Sequence, residues 1–125
     1  MNREEFKKEL EERLLNFAVA MVKMSAELPR NTAGFEIGKQ IVKSGCSPHS
    51  NYAEAKFAVS RADFSHKMRI CRKELNESFG WMKVCVKSKM LSWQRVKPDY
   101  DECDELIAIF TSSIKKLEAS LQAKK

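Results

Sequence analysis

Glycine and proline are scarce in this chain, four and three in 125 residues. That is too few for a loop-rich or disordered protein. No apolar run approaches the ~20 residues that cross a bilayer. The opening segment, "MNREEFKKELEERLL", is charged throughout and lacks the apolar stretch of a secretory signal. The expected location is therefore the cytoplasm, with no membrane partner. Histidine occurs only at His49 and His66, and the four cysteines, Cys46, Cys71, Cys85 and Cys103, show no CxxC spacing. Cys46 and His49 are three residues apart, a spacing that can put two metal ligands on one helical face, but no second pair accompanies them. Cys71 and Cys85 fall on one predicted helix at a separation of roughly 21 Å, out of disulfide reach. The thiols are expected to be free and packed as small hydrophobes.

Motifs for catalysis are also missing. There is no glycine-rich phosphate loop, GxSxG or HExxH. Cys46–His49 has no third orienting residue to make a nucleophile pair. Glu74 and Glu77 can form a carboxylate pair, but Lys73 and Glu77 stand at i, i+4, where an ion pair or an interface contact is the simpler reading. No catalytic residue, metal or cofactor is expected, and an enzyme is disfavoured.

Helical period fills what remains. Hydrophobic residues make up 43% and charged residues 32%, which suits one soluble helical domain with a real core. Leu10, Leu14, Phe17, Met21, Met24 and Leu28 alternate in steps of four and three and predict a helix over about 4–28, stopped by Pro29. Thr32 is the expected N-cap of the next helix. Gly34, Gly38 and Gly45 share one face of it and suggest close approach of a neighbouring backbone. Ser44, Ser47, Asn51 and Glu54 form a polar seam on another. Pro48 fits if Ser47 caps a new segment, so the second helix is expected to break near 45–48 into segments of about 33–44 and 48–60. Phe64, Met68, Cys71, Leu75, Ser78, Met82 and Cys85 predict a third helix over about 62–91, and Asp63 complements its N-terminus.

After Pro98, a fourth helix is expected over about 99–122. Cys103, Leu106, Phe110, Ile114, Leu117 and Leu121 face inward. Asp99, Asp101, Glu102, Asp104 and Glu105 crowd its start, and Lys115, Lys116, Lys124 and Lys125 its end, as the helix dipole favours. Four helices with short turns make an all-α, antiparallel up-down four-helix bundle the natural fold.

The third helix carries more than a core stripe. Residues 61–97 hold ten basic and three acidic side chains, so this segment supplies the whole excess behind the net charge of +6. Arg69, Arg72, Lys83 and Lys87 share one face of the helix and suit phosphate contacts with RNA or DNA. No base-reading signature accompanies them, so such binding would be to the backbone. The alternative is a solvated face on a protein-interaction scaffold. Ile70, Trp81, Val84 and Leu91 form a second apolar line facing away from the core seam. Left in water they would be a sizeable patch, so self-association through the third helix is expected.

The stretches "SGCSPHSNYAEA" and "SRADFSHKMRICRKELNESFGWM" resemble the four-helix-bundle proteins of the 23S ribosomal RNA intervening-sequence family. The resemblance rests on Ser44, Gly45, Ser47, Asn51, Tyr52, Glu54, Ala55, Asp63, Phe64, Lys73, Glu74, Glu77, Phe79 and Trp81. "LPRNTAGFEIGKQI" and "LIAIFTSSIKK" extend it to roughly residues 14–116. It implies a left-handed up-down bundle assembled as a homopentamer, with no established catalytic activity. Family members are encoded within ribosomal RNA gene inserts or elsewhere in bacterial genomes. A related branch serves diversity-generating retroelements and binds a reverse transcriptase and RNA. Pro48 and His49 depart from the family pattern, which has aliphatic and small residues there.

Overall fold

A computed structural model describes residues 1–123. Four helices follow one another: α1 (Arg3–Ala26), α2 (Thr32–Ala55), α3 (Arg61–Lys87) and α4 (Trp93–Ala123). Lys124 and Lys125, expected at the end of the fourth helix, lie outside the described residues. Neighbouring helices run antiparallel, as their contact pairs descend on one helix while rising on the next. Glu11 meets Lys56 and Met21 meets Gly45 between α1 and α2. Lys67 meets Glu54 and Ser78 meets Ser44 between α2 and α3. Arg61 meets Ser120 and Phe79 meets Tyr100 between α3 and α4.

The predicted seams form the core. All six residues of the first seam are buried, Leu28 just past the end of α1, as are Met68, Cys71, Leu75, Ser78, Met82 and Cys85 on α3, with Phe64 partly buried beside them. Cys103, Leu106, Phe110 and Ile114 complete it from α4. Tyr52 closes on Phe110 edge-to-face at 6.0 Å between ring centres.

Helix ends differ from the sequence expectation for local reasons. Asn31, not Thr32, caps α2: its side chain accepts the Gly34 N–H at 2.9 Å. Gly34 itself lies against the Pro29 carbonyl, where a Cβ would overlap the oxygen. Gly45 is equally tight against the Met21 side chain, whereas the nearest atom to a Cβ at Gly38 is 3.7 Å away, an ordinary contact. The close approach of a neighbouring backbone expected at three glycines thus holds at Gly34 alone, since the neighbour of Gly45 is a side chain.

The expected break at Pro48 is absent, and α2 runs unbroken through it. An interior proline removes one hydrogen bond and crowds the preceding turn, at a cost of ~3 kcal/mol. Packing on both flanks offsets that cost. Gly45 seats against α1, Ser44 bonds to α3, and Pro48 is itself buried, with its carbonyl accepting from the Cys71 thiol at 3.4 Å. Ser47 is therefore a mid-helix residue and not a cap.

Helix α2 stops at Ala55 rather than near residue 60. Ser60 then caps α3: its hydroxyl accepts the Asp63 N–H at 3.0 Å, while the Asp63 carboxylate accepts the Val59 N–H at 3.2 Å. Helix α3 stops at Lys87, short of residue 91. Lys89 takes a left-handed φ of 63°, and the Met90 N–H returns to the Cys85 carbonyl at 2.9 Å, which reverses the chain tightly. Ser92 accepts the Arg95 N–H at 3.1 Å, so α4 begins at Trp93 and Pro98 falls inside it. Pro98 and Gln94 are both exposed, so water can satisfy the carbonyl the proline leaves open. The carboxylates expected to face the α4 dipole sit beyond its first turn. Four of the five serve ion pairs instead: Asp99 with Arg95, Asp101 with Lys97, and Glu102 and Glu105 with Arg13.

Candidate nucleic-acid interface

Arg69 and Lys83 lie on the flank of α3 turned toward α4, while Lys67 turns to Glu54 on α2, and the four candidate cations are not equivalent. Arg69 is drawn across to α4, where its guanidinium meets the Glu118 carboxylate. Arg72, Lys83 and Lys87 form no ion pair among the described residues. Lys83 places its ammonium 4.6 Å from the centre of the Phe79 ring, a cation–π contact that leaves its charge available. Two arginines elsewhere are neutralised by carboxylates. Arg13 is locked to Glu102 by two hydrogen bonds of 2.9 and 2.6 Å, and that carboxylate raises the guanidinium pKa. Arg95 joins Glu27 by two bonds of 2.6 Å, which holds the Glu27 carboxyl below its ordinary range.

Sequence spacing did not disclose the aromatic group beside these cations. Phe79 stacks on Tyr100 with ring centres 4.0 Å apart and planes 24° from parallel. Trp93 meets Tyr100 edge-on at 5.1 Å and is 44% exposed. The expected start of α4 near residue 99 left Trp93 outside any helix, so its place beside Tyr100 was not visible. A correct Ser92 cap would have put Trp93 and Tyr100 two turns apart on one face.

The polar seam is largely satisfied within the chain. Ser44 is buried and accepts from the Ser78 hydroxyl at 2.8 Å. Ser47 accepts from the Asn51 amide at 2.9 Å through its hydroxyl and at 3.0 Å through its carbonyl. Glu54 is exposed and accepts from Lys67 at 2.9 Å. These bonds give the seam a packing role. Lys73 and Glu77 do not form the expected ion pair. Burial, then the neighbouring Glu77, raises the Glu74 carboxyl pKa, and one Glu74 oxygen is buried without a partner. Burial pushes the Cys71 and Cys103 thiols up to about 12 and raises that of Cys85. All four thiols are free, and no cluster of three metal-ligating side chains occurs among the described residues. Nor is any described helix long and apolar enough to cross a membrane.

The apolar line expected on α3 is only partly open. Leu91 lies in the α3–α4 turn, because the helix ends at Lys87. Leu91 and Trp81 both pack against the core from partly buried positions, Ile70 is half-buried, and Val84 alone of the four is mostly open, at 40% exposure. A larger open stripe runs along α1: Leu15, Val19 and Val22 are 41%, 44% and 47% exposed. They stand opposite the α1 seam in steps of four and three, a signal readable by the same rule that singled out α3. Phe35 on α2 is exposed too and lines, with Leu28 and Val42, a cavity of about 520 Å³ between the end of α1 and the start of α2.

The chain matches the family described as 23S rRNA-intervening sequence protein over residues 7–112. No curated protein matches it. Among solved structures, it is similar to a protein of unknown function from the S23 ribosomal protein family of Bacteroides thetaiotaomicron. The two are 30% identical, the match covers 87% of this chain and 97% of the other, and the TM-score is 0.81. The four-helix bundle and a match over most of the length agree: the chain belongs to the 23S rRNA-intervening sequence protein family.

Proposed function

We propose that this chain is a non-enzymatic, oligomeric, cytoplasmic protein that binds nucleic-acid backbone through α3. The observation that carries the reading is the set Arg72, Lys83 and Lys87, cations without a carboxylate partner that share one face of the helix in the segment holding the chain's excess positive charge. A phosphate can engage them without displacing an internal partner, and release of its counterions supplies the driving force. Arg69 contributes less, because Glu118 already offsets its charge.

Self-association is part of the same proposal. Helices α1 and α3 make no direct helix–helix contact and occupy diagonal corners of the bundle. Their outer faces carry the open apolar residues, Leu15, Val19 and Val22 on one and Val84 on the other. Contact between unlike faces closes into a ring when the rotation allows. The ring size of five comes from the family resemblance.

The α1 stripe favours a second reading: a scaffold for another protein, such as a reverse transcriptase, with an incidental basic face. Gel-shift titration of a structured RNA at several salt concentrations separates the two. Backbone binding gives a shift that weakens steeply as salt rises. No shift at low salt overturns the nucleic-acid reading and leaves the scaffold.

A further inference from the structure

We propose that the flank between α3 and the start of α4 is a stacking platform for a single strand. An unpaired base would lie on the Trp93 indole, with the adjoining phosphates on Lys83 and Lys87. This rests on the nucleic-acid reading above and goes beyond it by naming the strand state and the aromatic contact.

The aromatic group is built in a fixed order. Lys83 covers Phe79, Phe79 stacks on Tyr100, and Tyr100 takes Trp93 edge-on. Phe79 and Tyr100 are partly buried against the core, so they hold the indole in place. Trp93 is the member left open to water. It sits in the first turn of α4, which the Ser92 cap fixes. An anchored, exposed ring loses little freedom when a ligand stacks on it.

Charge on the flank points the same way. Lys83 and Lys87 are one turn apart on α3 and unpaired, and the positive φ at Lys89 turns the chain back just beyond them. The nearby α4 carboxylates Asp99 and Asp101 are occupied by Arg95 and Lys97, which leaves Asp104 as the opposing charge on this side of α4. Duplex phosphates would satisfy the lysines alone. Only an unstacked base gains from the indole, because a base inside a duplex already has both faces covered. RNA and DNA single strands share this chemistry.

The test uses the full chain carrying Trp81→Phe, so that Trp93 is the sole indole. Oligo-uridine, oligo-thymidine and a duplex of equal length are titrated while Trp93 fluorescence is followed. Quenching by either single strand, with little change from the duplex, is the expected result. Trp93→Ala should weaken single-strand binding about 5- to 150-fold, the range of base–aromatic stacking. Trp93→Phe keeps a ring and should retain most of the affinity, which separates lost stacking from lost packing. Unchanged affinity in Trp93→Ala, with binding abolished by Lys83→Glu and Lys87→Glu, overturns the platform and leaves backbone binding standing. No binding of any of the three nucleic acids overturns both.

Discussion

The hydroxyls of Ser44 and Ser78 meet at 2.8 Å between α2 and α3, with both residues shut off from water. This contact pins the middle of α2 four residues before its interior proline. Replacing either serine with alanine leaves the other hydroxyl without its cross-helix partner, at a cost of ~1–3 kcal/mol. The double alanine variant removes both polar groups. Urea denaturation of the four proteins should show the double variant costing less than the sum of the singles.

Two glycines should respond in opposite directions. A Cβ at Gly45 overlaps the Met21 Cβ and Cγ, which a rotamer change cannot clear. Gly45→Ala should destabilise by ~1–3 kcal/mol, as overpacking does. Gly80 lies mid-helix with nothing within 4 Å of its would-be Cβ. Gly80→Ala should stabilise by ~1 kcal/mol through helix propensity alone. Thermal melts followed by circular dichroism check both.

The buried thiols predict a weakening at high pH. Cys71 and Cys103 are held protonated up to about 12 in the fold, against an ordinary thiol value of 9.0. Above pH 9 the unfolded chain ionises these thiols and the folded chain does not. The unfolded state then binds fewer protons, so stability falls as pH rises from about 9 to 12. Chemical denaturation across that window should show the fall, and Cys103→Ala should reduce its slope. The free thiols further predict that a reducing agent leaves Tm unchanged and that purified protein contains no stoichiometric zinc.

Assembly should depend on the outer faces of α1 and α3. Light scattering is expected to give about five chains of 14.4 kDa per particle, a ring closed by unlike faces. Val19→Asp with Val22→Asp, or Val84→Asp, should lower the mass while helicity is largely kept. A wild-type monomer at micromolar concentration contradicts self-association, and a stable dimer contradicts only the ring of five.

The fold was legible because its core residues repeat with helical period and the breakers between them are few. The α1 seam and the α3 seam from Met68 to Cys85 are buried as their spacing requires. Local rules failed where tertiary packing or a neighbouring cap outweighed them. Pro48 reads as a break, yet contacts with Met21, Ser78 and Cys71 carry the helix through it. Pro98 reads as a start, yet Ser92 begins α4 earlier. That second error hid the Trp93–Tyr100–Phe79 group, since its members come from two helices and meet only once both ends are placed. Charge content located the basic segment, but pairing decides which cations remain available, and the Arg69–Glu118 contact crosses between helices.

Backbone binding by α3 is tested most directly by the salt dependence of RNA affinity in wild type and in the triple variant Arg72→Glu, Lys83→Glu and Lys87→Glu. Each phosphate contact contributes about 0.7 to the slope of log K against log salt for a single strand. The account predicts a slope shallower by about 2 in the triple variant, with affinity lost at low salt, while Arg69→Glu changes the slope little. An unchanged slope and affinity in the triple variant would contradict it.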